Sequence, residues 1–437
     1  MLKNKKFAGY AIALNIMGVV FMFLYSGLQN DQISIIQAFS AWNATDTQVP
    51  MTVGGLVCII LTFVFGTCFL KFGVRKTLIP CIIIAALGCL GIAAANGLAT
   101  VSGLATGSAA PGDPAVMGNF ALFWVSLFIV RCFCMCLQLA GFMLVANWFI
   151  RYRGRVMGII TVGSPLFSVV GTAGMTSLIT NRFGGDYRPF YIGIAVLLVV
   201  VAILTGVLLR DKPEDAGLWP DGSDSRPKSE SEDDVHLTVS DVLRQGKAWK
   251  LIVSFGIFQS VIQACMGSMA VWYMSLGGLE VWLSATKWLA MGSILGIPMS
   301  YIFGILDDKI GSVKTSMILG ATELIPVIAL MLQPQGGNVP LMILWGFGVA
   351  CMTGGVPTMH PCITAYCYGR KEYQSANRVI MSIQLIPFAF AALYTTYMIT
   401  SGKGMLGYGS LIVLIIIGIA VTASLLKLPD SNAADRY

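Results

Sequence analysis

The chain has 437 residues, of which 56% are hydrophobic and only 11% charged, and its mean hydropathy is +0.77. An ordinary soluble domain carries about 25% charged residues, so this composition excludes a soluble fold and leaves an integral membrane protein. The formal net charge of +7 does not point to nucleic acid, because the basic residues fall between apolar segments and act as an orientation signal.

Three lysines precede the first apolar run, which predicts an uncleaved signal anchor. Twelve membrane spans are predicted, at 7–38, 50–72, 77–98, 119–150, 156–180, 190–209, 249–276, 283–306, 315–332, 340–366, 378–400 and 407–426. Each falls within or above the range of about 17–25 residues that crosses the hydrocarbon core. Counted from a cytoplasmic N-terminus, 23 of the 28 Lys and Arg residues fall on the inner side. That asymmetry places both termini in the cytoplasm of a cell that carries the chain as a multi-pass protein of its cell membrane, such as a bacterial inner membrane.

Arg131, in span 4, cannot lose its proton and lies twenty residues before Arg151, roughly 30 Å along a helix. A cation at that depth must face a polar pocket or a carboxylate, which makes it a functional candidate. Asp31, near the end of span 1, falls at a similar height, so Asp31 and Arg131 form a candidate proton-coupling pair. The alternative places Asp31 in water, where it caps a helix. Tyr25 and Gln138 add neutral polar groups at cavity positions. Residues 99–118 are predicted to be an external loop.

The stretch 210–250 holds ten of the 21 acidic residues, with prolines and serines between them. It cannot bury enough apolar surface to fold alone, so it is expected to be a mobile tether, with a surface helix near 239–247. It divides the chain into residues 1–209, a linker at 210–248, and residues 249–437. In the second part, Gln259 and Gln263 share one face of span 7. Lys287 is expected to snorkel to the interface. Glu323, nine residues after Lys314, is a weaker candidate. His360 sits mid-membrane in the run Gly354-Gly355-Val356-Pro357-Thr358-Met359-His360-Pro361, where a broken helix would line a cavity and an imidazole could carry a proton or bind a carboxylate. Gln384 adds a polar group on span 11.

An internal repeat supports the division. Gly66, Lys71 and Gly73 recur as Gly304, Lys309 and Gly311 at an offset of 238. On these residues the chain resembles the major facilitator superfamily over essentially its whole length. Gly304, Leu306, Asp308, Lys309 and Gly311 match that superfamily's G-x-L-x-D-K-x-G loop. The earlier copy, from Gly66 through Gly73 to Arg75, has Leu70 in the acidic position. Arg131, Gln138 and Gly141 look like its span 4 signature. The shorter stretches 147–154 and 213–222 are similar to the oxalate/formate antiporter and monocarboxylate transporter branch, although the span 8 arginine and span 11 lysine of that branch are absent.

The resemblance implies an all-α membrane protein of twelve transmembrane helices in two pseudo-symmetric six-helix bundles. It implies a monomeric secondary active transporter that moves a small organic solute by alternating access, driven by protons or a counter-anion, with no nucleic-acid partner. Arg131, His360, Gln138, Gln259, Gln263, Tyr25 and Gln384 are the candidate solute contacts. Gly66, Gly73, Arg75, Gly304, Asp308, Lys309 and Gly311 are the candidate gating loops. An organic anion leads as solute, because buried cations outnumber acids. A neutral polar solute carried with a proton, or a transporter-like sensor, are the alternatives. No Walker loop or catalytic motif occurs in the sequence, so neither ATP hydrolysis nor an enzymatic activity is expected, and no cofactor or metal is called for.

Overall fold

The computed structural model describes residues 5–28, 44–95, 119–167, 178–184, 186–223 and 237–428. Among the described residues there is no strand, and helices occur at all twelve predicted spans. Span 1 is Lys5–Ser26, span 2 Ala44–Phe72, span 3 Val74–Ala94 and span 4 Phe120–Trp148. Span 5 opens with Arg153–Thr161, and span 6 is Arg188–Leu208. Span 7 is Gly246–Gly267 and carries on past Ser268 into the first turns of Met269–Ile310. Gly278, at φ 70°, breaks that helix and so separates span 7 from span 8. Span 9 is Ser312–Met331, spans 10 and 11 divide Val339–Thr400 at Gly369 (φ 68°), and span 12 is Gly404–Ala423.

The reason these residues form helices is the solvent. Large apolar side chains such as Val196, Ile203 and Val207 on span 6, and Val413 and Ile416 on span 12, are exposed on the outside. Hydrocarbon offers no hydrogen bonds, so the backbone must satisfy itself, which helices do. The inner faces bury Phe21, Phe123, Phe142, Phe255 and Phe258.

The sequence repeat is also a repeat of backbone conformation. Gly73 has φ 88° and ψ 159°, and Gly311 has φ 88° and ψ 157°. Each ends one span and caps the next, in a region that glycine alone enters without strain.

Two expectations are corrected. Residues 210–223 are not a loose tether: they form two short turns, Pro213–Ala216 and Pro220–Gly222, hydrogen-bonded to the loops and ends of spans 1, 3 and 4. Backbone groups and the carboxylates of Asp211, Glu214, Asp215 and Asp221 supply most of that order. The surface helix does form, as Val239–Leu243, with Thr238 and Asp241 capping it reciprocally. Span 10 is not broken at His360 either. Pro357 and Pro361 lie in continuous helix, and the non-helical residue is Gly369. Gly355 packs against Leu319 and Phe303 of neighbouring spans, and the Thr358 and Thr364 hydroxyls bond back to the carbonyls of Gly354 and His360. Packing on neighbouring helices holds the proline-containing helix together.

Candidate functional site

Arg131 lies inside the group of helices that precedes residue 209. Its stem packs on Gly54 of span 2, where a Cβ would come within 2.7 Å of Arg131 Cγ, and its Nη2 lies 3.8 Å from the Cβ position of Gly55. The two glycines give the side chain room to lie across span 2. Tyr25 of span 1 stands within electrostatic reach of the guanidinium. Gln138, seven residues and so two turns further along, shares the face of Arg131 and is 8% exposed. Arg131 and Tyr25 thus lie near one another from spans 4 and 1, with the Gln138 amide about 10 Å further along the same face of span 4. Asp31, their expected partner, lies outside the described residues.

His360 belongs to a separate cluster in the second group of helices. Its ring meets Phe255 of span 7 edge to face at 5.5 Å, and the Gln384 amide of span 11 lies beside it. Gln384 donates to the Leu251 carbonyl at 2.8 Å. Gln259 and Gln263 are half-buried on span 7, Lys287 is exposed, and Glu323 is fully buried. Arg131 sits on span 4 of the first group of helices and His360 on span 10 of the second.

The two groups of helices meet along a seam at the end where the repeated loops lie. Gly158 of span 5 rests on the Ser300 carbonyl of span 8, and Gly154 rests on Gly304. Beside them Arg155 pairs with Asp308 at 2.9 Å. Further in, the Thr161 and Thr358 hydroxyls share a 2.7 Å hydrogen bond, and the fully buried Arg153 donates to the Cys362 carbonyl. On the other side Gly66 lies against Arg378 of span 11, whose Nη1 donates to Thr67 Oγ1 at 3.0 Å. A neutral hydroxyl thus meets the arginine near Leu70, on the side where the loop acid is missing.

Of the predicted loop residues, Gly66, Gly304 and Asp308 make contacts across the seam. Gly73 and Gly311 shape the two turns, and Lys309 is exposed. Arg75 does not cross: its side chain donates to the carbonyls of Gly206 and Leu209 within its own group of helices.

Nothing in the residue pattern singles out Thr161, Thr358, Arg370 or Gln374. Arg370 Nε donates to the Asn147 carbonyl at 2.6 Å, its Nη2 pairs with Glu214 at 2.9 Å, and Gln374 donates to Asn147 Oδ1 at 2.9 Å. The available signal was indirect: Asn147 and Glu214 sit in the two short stretches, 147–154 and 213–222, that resembled one transporter branch. The structure brings those stretches together. Burial raises the Asp221 carboxyl above its ordinary range, against the pull of the Arg151 and Ile150 backbone donors.

The family profile described as Major Facilitator Superfamily matches residues 7–392. Among solved structures, the chain is similar to FucP, a transporter of that superfamily seen in the outward conformation, at 15% identity and a TM-score of 0.64, covering 95% of this chain and 99% of that one. A variant of the E. coli fucose:proton symporter FucP gives 13% identity and a TM-score of 0.68 with the same coverage. The proton:xylose symporter XylE, bound to a bromodeoxyglucose, gives 12% identity and a TM-score of 0.64, covering 98% of this chain and 99% of that one. At these identities the likeness establishes the fold. A search of curated protein sequences finds no match.

Proposed function

The chain belongs to the major facilitator superfamily, a family of membrane transporters, and from that premise we propose that it moves a small organic anion by alternating access, in symport with a proton or in exchange for another anion. The observation that carries this reading is the seam of close glycine contacts and ion pairs at the end of the molecule that bears the repeated loops. A gate must be shut on one side while a site is reachable from the other, and charge density in the sequence assigns the shut side to the cytoplasm. The two groups of helices, 1–209 and 249–437, would then be the rocking halves.

Arg131, Tyr25 and Gln138 form the donor set for the solute, and a guanidinium suits a carboxylate because it can offer two parallel hydrogen bonds. A carboxylate solute also agrees with the short stretches shared with the oxalate/formate and monocarboxylate branch. The second reading is a neutral polar solute carried with a proton. It is favoured by the half-buried amides Gln259 and Gln263 and by the sugar–proton symport of FucP and XylE.

Counterflow in proteoliposomes against panels of carboxylates and sugars separates these readings. Arg131→Gln should raise the KM for a carboxylate by roughly 10- to 100-fold, the equivalent of losing a charged hydrogen bond of about 1.5–3 kcal/mol. An unchanged KM in that variant removes the anion reading. Binding without counterflow of any solute makes the protein a sensor.

A further inference from the structure

The segment that follows span 6 is held almost wholly by the first group of helices. Asn147 Nδ2 donates to the Asp211 carbonyl and Trp148 Nε1 to the Arg210 carbonyl, both at 3.0 Å. Asp211 Oδ1 accepts from the Arg75 backbone N–H at 2.8 Å. Asp221 Oδ2 accepts from the backbone N–H groups of Ile150 and Arg151 at 3.0 and 2.8 Å, and Lys6 Nζ donates to the Ala216 carbonyl at 2.8 Å. These bonds tie the segment to the loops and ends of spans 1, 3 and 4.

Glu214 is different. It projects from the turn Pro213–Ala216 to Arg370, at the head of span 11 in the second group, and the Arg370 side chain is only 7% exposed. Arg370 is in turn docked on the Asn147 carbonyl, and Gln374, one turn further on, binds the Asn147 side chain. Asn147 therefore holds the strap with its amide nitrogen and span 11 with both of its oxygens. Any motion that parts the two groups at this end must leave the strap with the first group and break the Glu214–Arg370 pair.

We propose that residues 210–223 are a built-in latch of the cytoplasmic gate, in which Glu214 of the strap holds Arg370 of span 11 and so supplies the ionic contact that the first repeated loop, with Leu70 in its acidic position, does not. The two sides of the seam are then balanced by different means. Arg155 and Asp308 close the side of spans 5 and 8 through the loop acid itself. On the side of spans 2, 4 and 11, Arg378 meets Thr67 through a neutral hydroxyl and Phe63 through its ring face, and the strap adds an opposite charge. This deepens the alternating-access reading above and rests on it. Glu214 and Arg370 are positioning residues that set how long the gate stays shut and do not touch the solute.

Hydrogen–deuterium exchange on the full chain in nanodiscs tests the latch without a solute, so its outcome is independent of whether any tested compound is transported. Exchange of a protected segment tracks the population of its opened form. Glu214→Gln should speed exchange in residues 369–378 about tenfold, which corresponds to about 1.4 kcal/mol, while spans 3 and 6, away from the seam, stay as in wild type. Arg370→Glu should do so more strongly, because the Asn147 contact goes as well. Combining Arg370→Glu with Glu214→Arg should slow exchange again relative to Arg370→Glu alone, which loss of packing would not do. Wild-type exchange in Glu214→Gln, or no recovery in the charge swap, overturns the proposal. If Arg370→Glu does not fold, Glu214→Gln decides alone.

Discussion

Gly158→Ala isolates the glycine seam from every charge around it. The added Cβ would stand 2.7 Å from the Ser300 carbonyl oxygen and 3.2 Å from the Tyr301 Cα. Ordinary contact begins at 3.4 Å, so the shortfall at the oxygen is 3.4 − 2.7 = 0.7 Å, against backbone that has no rotamer to move. Spans 5 and 8 must separate by a similar amount, and the Gly154–Gly304 contact one turn away must loosen with them. Overpacking of this kind costs about 1–3 kcal/mol. The gain in helix propensity from Gly to Ala, up to ~1 kcal/mol, is present whether the seam is shut or open and cancels from the gating equilibrium. The shut state should lose about 5- to 150-fold in relative population.

The assay is a spin-label distance between Arg151→Cys and Lys309→Cys, two exposed positions on opposite sides of the seam. The native thiols interfere little, since all except Cys68 are buried. Gly158→Ala should add a longer distance population that the parent lacks. An identical distance distribution in the two proteins refutes the claim that close glycine packing holds this end shut.

Two further predictions follow from the charges at the same end. Asp308→Asn removes the Arg155 pair, but the Arg155 side chain is 44% exposed, so screening limits the loss to about 1 kcal/mol or less; the same label pair should show a smaller shift than Gly158→Ala, one that shrinks further at high salt. For Asp221, the folded-state pKa lies above the unfolded one because of burial, so the stability it contributes is present below the ordinary carboxylate range and is lost as pH rises through the folded value. Asp221→Asn keeps an acceptor for the Ile150 and Arg151 donors without that titration. The variant should gain in unfolding temperature relative to wild type as the pH is raised, and a difference that does not vary with pH contradicts this assignment.

Composition and hydropathy were enough to read what the solvent imposes. Long apolar runs in a chain with so few charges must become helices that saturate their own backbone, and the basic residues between them orient the whole. The repeat was legible too, because Gly73 and Gly311 hold positive-φ turns at equivalent places, and only glycine enters that region readily. Tertiary structure alone decided which polar groups meet. Arg131 and His360 were both candidate solute contacts, roughly 30 Å and about 15 Å from the inner surface, and depth along a helix says nothing of the direction a side chain takes around it. The segment after span 6 read as a loose tether because its composition cannot build an apolar core, and composition does not register that Asn147, Arg75 and the backbone of Ile150 and Arg151 wait beneath the bundle with donors to spare. Hydrogen bonds between residues more than sixty positions apart leave no periodic trace in a sequence, and they are what holds residues 210–223 against the loops and ends of spans 1, 3 and 4.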